Sequence, residues 1–252
     1  NGISYKNSGT IKVERYLPAN NSGVYLQGYH YISSPVNNHA KFNDMTDLYS
    51  YDEPTLAWVH HSNFSNFTNA DGYAIRYTTD ITKDFIGETN TGSQAIAVVY
   101  NDDLGSSFDH FNLIGNPYPS SISSDDIVDN NSAAIETSVY FWNGVDYATY
   151  NTSLNSGTAG SQGGTPDGEI ATGQAFFVDA KSGGGTVTMT NAMRGTDSNI
   201  FYKKESYPYV RLNLQGTEGK SDLLLTGHSR SSKGFDDYDS KHLTGHGSLN
   251  LT

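Results

Sequence analysis

Short apolar or aromatic runs broken by Gly, Asn, Ser or Asp set the rhythm of this chain, and sustained i, i+3, i+4, i+7 apolar spacing is absent. The pattern predicts strands over 138–142, 174–180, 186–190, 209–214 and 222–226. Several of these alternate polar and apolar residues, as expected of a sheet with one wet face. One stretch departs from the rule. Across 123–135, Asp125, Asp126 and Asp129 sit among Ile127, Val128, Ala133 and Ala134, which predicts a short helix capped by Ser124 or Asp125. Residues 157–168, with Gly160, Gly163, Gly164 and Pro166 and no apolar anchor, predict a mobile loop.

The pattern also repeats. Tyr31-Ile32-Ser33-Ser34-Pro35 returns as Leu113-Ile114-Gly115-Asn116-Pro117, Leu48-Tyr49-Ser50-Tyr51 as Val139-Tyr140-Phe141-Trp142, and Gly72-Tyr73-Ala74-Ile75 as Gly173-Gln174-Ala175-Phe176. The offset between copies grows from 82 at the prolines through 91 at Tyr49 and Tyr140 to 101 at the glycines, so the second copy carries longer loops. One β unit used twice produces such a record. The expectation is a single all-β domain, a β-sandwich or jelly roll, with related halves over about 24–100 and 108–195 and a C-terminal strand extension over about 200–252. Pro35 and Pro117 should sit at equivalent corners, Gly72 and Gly173 at equivalent strand entries. Ile32, Ile114, Phe176 and Val178 should be buried. The chain stops in Ser248-Leu249-Asn250-Leu251-Thr252, which looks like the start of a strand, so the sequence reads as a piece of something longer.

Composition narrows the function classes. At 252 residues a sizeable core is affordable, and 18 Tyr, 11 Phe and 2 Trp must carry much of it, because hydrophobic content is only 35%. A net charge of −12 repels phosphate backbones and anionic membranes, which excludes nucleic acid as a partner. Cysteine is absent, so neither disulfides nor thiolate metal sites are available. No apolar run approaches the roughly 20 residues of a membrane helix, and no membrane insertion is expected.

Phe111-Asn112-Leu113-Ile114-Gly115-Asn116-Pro117-Tyr118-Pro119-Ser120, Val139-Tyr140-Phe141-Trp142-Asn143-Gly144, Gly173-Gln174-Ala175-Phe176-Phe177-Val178, Asn191-Ala192-Met193-Arg194 and Phe235-Asp236-Asp237-Tyr238-Asp239-Ser240-Lys241 together carry a resemblance. They look like the repeated β-rich region of large secreted surface proteins of gliding and marine Bacteroidota. The resemblance spans about Gly28 to Leu243 and lacks the C-terminal sorting domain with which such proteins usually end. It implies a secreted or cell-surface location, type IX export with the secretion machinery as a transient partner, and a role as an adhesin-like module or as an accessory of polysaccharide-degrading enzymes. It also implies that Asp239 and Lys241 are structural, an aspartate in a turn with a lysine paired to it.

Candidate chemistry is sparse, and no catalytic residue is nominated. Gly-x-Ser-x-Gly is absent, and Gly227-His228-Ser229 lacks a strand-elbow-helix context. His60 with His61 and His242 with His246 read as surface or loop histidines: Gly245 and Gly247 argue against a helix, and there is no His-Glu-x-x-His. No cofactor is expected, though Asp236, Asp237 and Asp239 could offer carboxylates to calcium, as could Asp125, Asp126 and Asp129 or Asp102 and Asp103, none of which has the Asp-x-Asp-x-Asp-Gly loop. The sharper expectation rests on Tyr51, Trp58, Trp142 and Tyr147, whose flat rings beside Asn and Asp could stack on sugar faces. The partners this implies are neutral glycans or surface polymers. The function expected is a non-catalytic module of an exported surface protein, for adhesion or presentation; the alternative is a carbohydrate-binding accessory region of a secreted polysaccharide-degrading enzyme.

Overall fold

The computed structural model describes residues 3–5, 9–19, 28–37, 39–45, 47–102, 109–161, 164–195, 209–216, 219–226, 231–232 and 234–241. The first half runs β1 (Ile3–Tyr5), β2 (Thr10–Leu17), β3 (Tyr29–Ile32), β4 (Val36–Asn37), β5 (Leu48–Asp52), β6 (Ala57–His60), β7 (Tyr73–Arg76) and β8 (Ile81–Thr89). The second runs β9 (Gln94–Val98), β10 (Phe111–Gly115), β11 (Ile122–Ser123), α1 (Ser124–Asn130), β12 (Ile135–Trp142), β13 (Tyr147–Asn151), β14 (Ser156–Thr158), β15 (Glu169–Ile170), β16 (Ala175–Ala180) and β17 (Gly185–Met189). A hairpin of β18 (Tyr209–Gly216) and β19 (Gly219–Thr226) follows. The protein is an all-β sandwich, with α1 the one α-helix among the described residues.

The duplication is visible in the strand order. One inner sheet is β3-β7-β5-β6 and the other is β10-β16-β12-β13-β14, so the second repeats the first and adds β14 at its edge. Each inner sheet is backed by an outer layer, β1-β2-β8-β4 on one side and the pairs β9-β17 and β11-β15 with α1 on the other. The result is four layers with three cores. Ile11, Val13, Val36 and Phe85 close the first outer core against Ile32, Leu48 and Ile75. Phe176, Val178 and Val139 close the second against Ile127, Ile170 and Val187. Between the inner sheets lie Phe111, Leu113, Tyr140 and Phe177, joined by Tyr31, Tyr51 and Tyr147. Period-2 alternation explains the division: Ile32 faces outward and Tyr31 inward from one short strand.

The halves lock by crossed backbone bonds. The Ser33 N–H donates to the Gly173 carbonyl at 3.1 Å, and the Gly115 N–H donates to the Ala70 carbonyl at 2.8 Å, beside bridges from Ile32 to Gln174 and from Asp71 to Ile114. Pro35 and Pro117 follow these contacts at matching corners, where Ser34 Oγ and Asn116 Oδ1 accept from the N–H of Val36 and Tyr118 at 3.4 and 2.9 Å.

Four expectations need correction here. Gly173 is matched in space by Ala70 and not by Gly72: both turn at left-handed φ, 70° and 63°, so β16 stands two residues further along than its landmark suggests. A shift of two preserves every side chain's face, which is why the landmark misled. Second, β9 pairs with β17 and β2 with β8, so the halves do not divide at 24–100 and 108–195: β2 lies ahead of the first boundary and β9 belongs to the second half. Third, residues 157–168 open in a strand, since Gly157 pairs with Tyr150 within β14. The cap of α1 is also displaced by one, because Ser123 is still extended and its Oγ accepts from the Asp126 N–H at 3.2 Å.

Ile32, Ile114, Phe176 and Val178 are all buried, and Phe176 has no exposed surface. Replacing Phe176 with Ala removes a ring enclosed between β12, β10 and the outer layer; denaturant unfolding should show a loss of about 3–5 kcal/mol.

Candidate functional site

Six rings from both halves meet between the inner sheets. Tyr31 on β3 stands at the centre, stacked on Trp142 at 5.6 Å and 17°, with Trp58, Phe177 and Tyr147 at 5.4, 5.7 and 6.2 Å. Tyr51 packs edge-on against Trp58 at 5.3 Å and Phe177 at 5.1 Å, and Tyr147 lies 5.0 Å from Trp142. Strand register creates the grouping, since Tyr51 is paired with Trp58 across β5–β6 and Trp142 with Tyr147 across β12–β13. These two cross-strand pairs occupy corresponding places in the duplicated sheets.

The four residues nominated from sequence therefore come together, but mainly as the lining of a layer. Trp58 is 38% exposed at the rim, whereas Tyr51, Trp142 and Tyr147 are partly buried. Their polar ends are engaged: the Tyr31 and Tyr147 hydroxyls are 2.8 Å apart, and the Trp142 indole N–H donates to the Tyr29 carbonyl at 2.9 Å. Burial pushes the Tyr31 and Tyr147 hydroxyls well above the ordinary tyrosine range, and that of Tyr51 to about 12, with the carboxylates of Glu53, Asp109 and Asp52 adding to the last.

Trp142 also borders a cleft of about 240 Å³. Phe141 and Ala148 supply its apolar surface, and Pro166, Thr165, Glu169 and Gln174 come from the connection between β14 and β16. The Gln174 side-chain oxygen accepts from the Ala171 N–H at 3.0 Å, which fixes the amide in place.

These geometries give the chain no single signature chemistry. The profile of a domain of unknown function (DUF8693) matches residues 2–252. The chain belongs to that family. No curated protein and no solved structure matches it.

In this DUF8693 domain the acidic candidates close turns. Asp236 Oδ1 accepts from the Tyr238 N–H at 2.9 Å, Asp239 Oδ2 from the Asp236 N–H at 3.0 Å, and the Asp237 carbonyl accepts from Thr137 Oγ1 at 2.7 Å. Among the described residues no group of three or more His, Asp or Glu side chains is placed to hold a metal. Asp125 and Asp126 lie in the first turn of α1, and Asp103 is outside the described residues. His61 Nε2 is 2.8 Å from Ser50 Oγ and His60 packs on Tyr49 at 4.9 Å; His242 and His246, like Gly227-His228-Ser229, lie outside the described residues.

The expected pairing of Lys241 with Asp239 is not what forms. Lys241 Nζ reaches Asp179 Oδ2 on β16 at 2.7 Å, and its backbone N–H donates to the Tyr140 hydroxyl at 3.1 Å. Neighbouring bonds, Ser138 Oγ to Ser240 Oγ at 2.6 Å and Asn151 Nδ2 to the Asp239 carbonyl at 3.1 Å, hold residues 234–241 as a strap across β12 and β13. Asp179 is 1% exposed, and burial raises its carboxyl pKa despite Lys241 and His110. At the same place in the first half Arg76 lies 5.3 Å from the Tyr29 ring, as Lys241 lies 5.4 Å from the Phe111 ring.

Sequence reasoning missed Tyr31, Glu169 and Gln174. Tyr31 was concealed because its counterpart in the repeat is Leu113; its alternation with Ile32 was the available signal.

Two outcomes follow from these contacts. Because the folded-state pKa of Tyr51 exceeds the unfolded value near 10, its contribution to stability is complete below pH ~10 and is lost as pH rises through about 12. Phenolate absorbance should rise with the unfolding transition rather than ahead of it for Tyr31, Tyr51 and Tyr147. Separately, Lys241→Met should destabilise the fold by about 1–3 kcal/mol by stranding a buried carboxylate, and adding Asp179→Asn should restore most of that loss in a double-mutant cycle.

Proposed function

We propose that the chain is a non-catalytic module of an exported cell-surface protein, serving adhesion or surface presentation. One observation supports this most directly: three buried carboxylates are committed to structure. Glu53 Oε1 accepts from the backbone N–H groups of Asn101 and His110 at 3.2 and 3.0 Å, Asp179 holds the strap through Lys241, and Asp146 accepts from the Ser161 N–H at 2.8 and 3.0 Å. The aromatic residues, for their part, weld two sheets into a rigid body that leaves Trp58 and Val59 at the surface of β6. A stiff module with an apolar rim suits contact with surface polymers. The resemblance to secreted surface proteins of Bacteroidota supplies the export route, type IX secretion.

A second reading, a carbohydrate-binding accessory region of a secreted polysaccharide-degrading enzyme, is favoured by the ring-sized cleft at Trp142. The two readings differ in what accompanies the module in its full-length protein: further repeats for the first, a catalytic domain for the second.

Antibody raised against the purified chain should label intact cells of the organism that makes it, and brief external protease treatment should abolish the signal. Labelling that appears only after lysis would exclude the surface assignment.

A further inference from the structure

We propose that the cleft beside Trp142 binds one neutral sugar ring, the end or a side branch of a glycan. The proposal rests on the second reading above, that the module contacts saccharide, and adds where and in what chemical form. Size sets the first limit. At about 240 Å³ the cleft falls below the roughly 300–1,000 Å³ of pockets that enclose drug-sized ligands, so a single ring fits and a longer segment must project outward.

The lining sets the second limit. Phe141 and Ala148, partners across β12–β13, present carbon to one side beside Trp142, a surface suited to the C–H face of a pyranose. Glu169 offers a carboxylate acceptor, Thr165 a hydroxyl, and Gln174 an amide nitrogen on a side chain whose oxygen is already held by the Ala171 N–H. A purely apolar ligand would strip water from Glu169 without replacing its hydrogen bonds. An anionic ligand would face that carboxylate with no cationic side chain among the lining residues. A polyhydroxylated neutral ring satisfies both conditions.

The duplication gives an internal comparison. In the first half Ser50 stands where Phe141 does and Tyr51 where Trp142 does. The cleft's outer wall, Thr165 to Glu169, belongs to the stretch by which the second copy is longer than the first. The cleft's outer wall is thus an addition to the repeated unit, and it brings the Thr165 hydroxyl and the Glu169 carboxylate.

The test uses the full chain labelled with 5-fluorotryptophan, whose two tryptophans, Trp58 and Trp142, give two fluorine resonances assigned by Trp58→Phe and Trp142→Phe variants. Neutral gluco-, manno-, galacto- and xylo-oligosaccharides are titrated beside uronate oligomers. The Trp142 resonance should shift saturably with at least one neutral sugar and respond less to the uronates. Glu169→Gln and Thr165→Val alter exposed side chains and preserve the fold; Glu169→Gln should weaken binding about tenfold, the loss of one charge-assisted hydrogen bond. Movement of the Trp58 resonance alone, unchanged affinity in both variants, or preference for uronates would overturn the cleft while leaving saccharide binding in place. No response to any saccharide would overturn the cleft and the second reading together.

Discussion

Everything in this molecule depends on two sheets being able to approach at the point where their strands cross over. At that point a Cβ on Gly115 would lie 2.1 Å from Ser33 Cβ, and one on Gly72 would lie 2.5 Å from Leu113 Cγ. Only bare backbone fits. Given that contact, the paired bonds from Ser33 and Gly115 set the spacing of the inner sheets, and the spacing in turn determines that large flat side chains fill the gap. Ala70 pays part of the cost, since its left-handed backbone is worth roughly 1 kcal/mol of strain for a residue with a Cβ.

The acidic excess is accommodated at positions where a carboxylate can satisfy backbone donors or meet a cation. Lys83 lies 2.5 Å from Asp44, and Arg76 lies 2.7 Å from Asp47. Both pairs are partly exposed and contribute modestly. Asp179 differs because it is enclosed, and its partner comes from the strap. The strap thereby becomes part of the second half's packing, since Lys241 also covers Phe111.

Strand positions were legible because β-branched and aromatic runs bounded by Gly and Asn leave little choice of period, and the repeat was legible because Pro35 and Pro117 mark true corners. The offset of β16 was not, as a shift of two residues changes no face. Tyr51 and Trp142 share a place in the repeated motifs, but the partial burial of Tyr51, Trp142 and Tyr147 was not legible, because it requires the two inner sheets to face each other. Lys241 was assigned to Asp239 by proximity along the chain; its actual partner, Asp179, is brought near by folding alone. Glu169 follows the unpatterned loop and Gln174 opens a predicted strand, and spacing along the chain carries no information about which side chains share a cleft.

The crossed bonds between Ile32–Ser33 and Gln174–Gly173 on one side, and Ile114–Gly115 and Asp71–Ala70 on the other, have the form of an isologous contact, in which the same patch meets itself about a two-fold axis. A single half folding alone would present that patch to another of its kind. Joined in one chain, the two patches face each other at a fixed effective concentration, and each is released from having to match an identical partner. Leu113 could then stand opposite Tyr31, and one copy could lengthen its loops while the other kept them short. Asymmetry of this sort is closed to a homodimer, where every substitution appears twice.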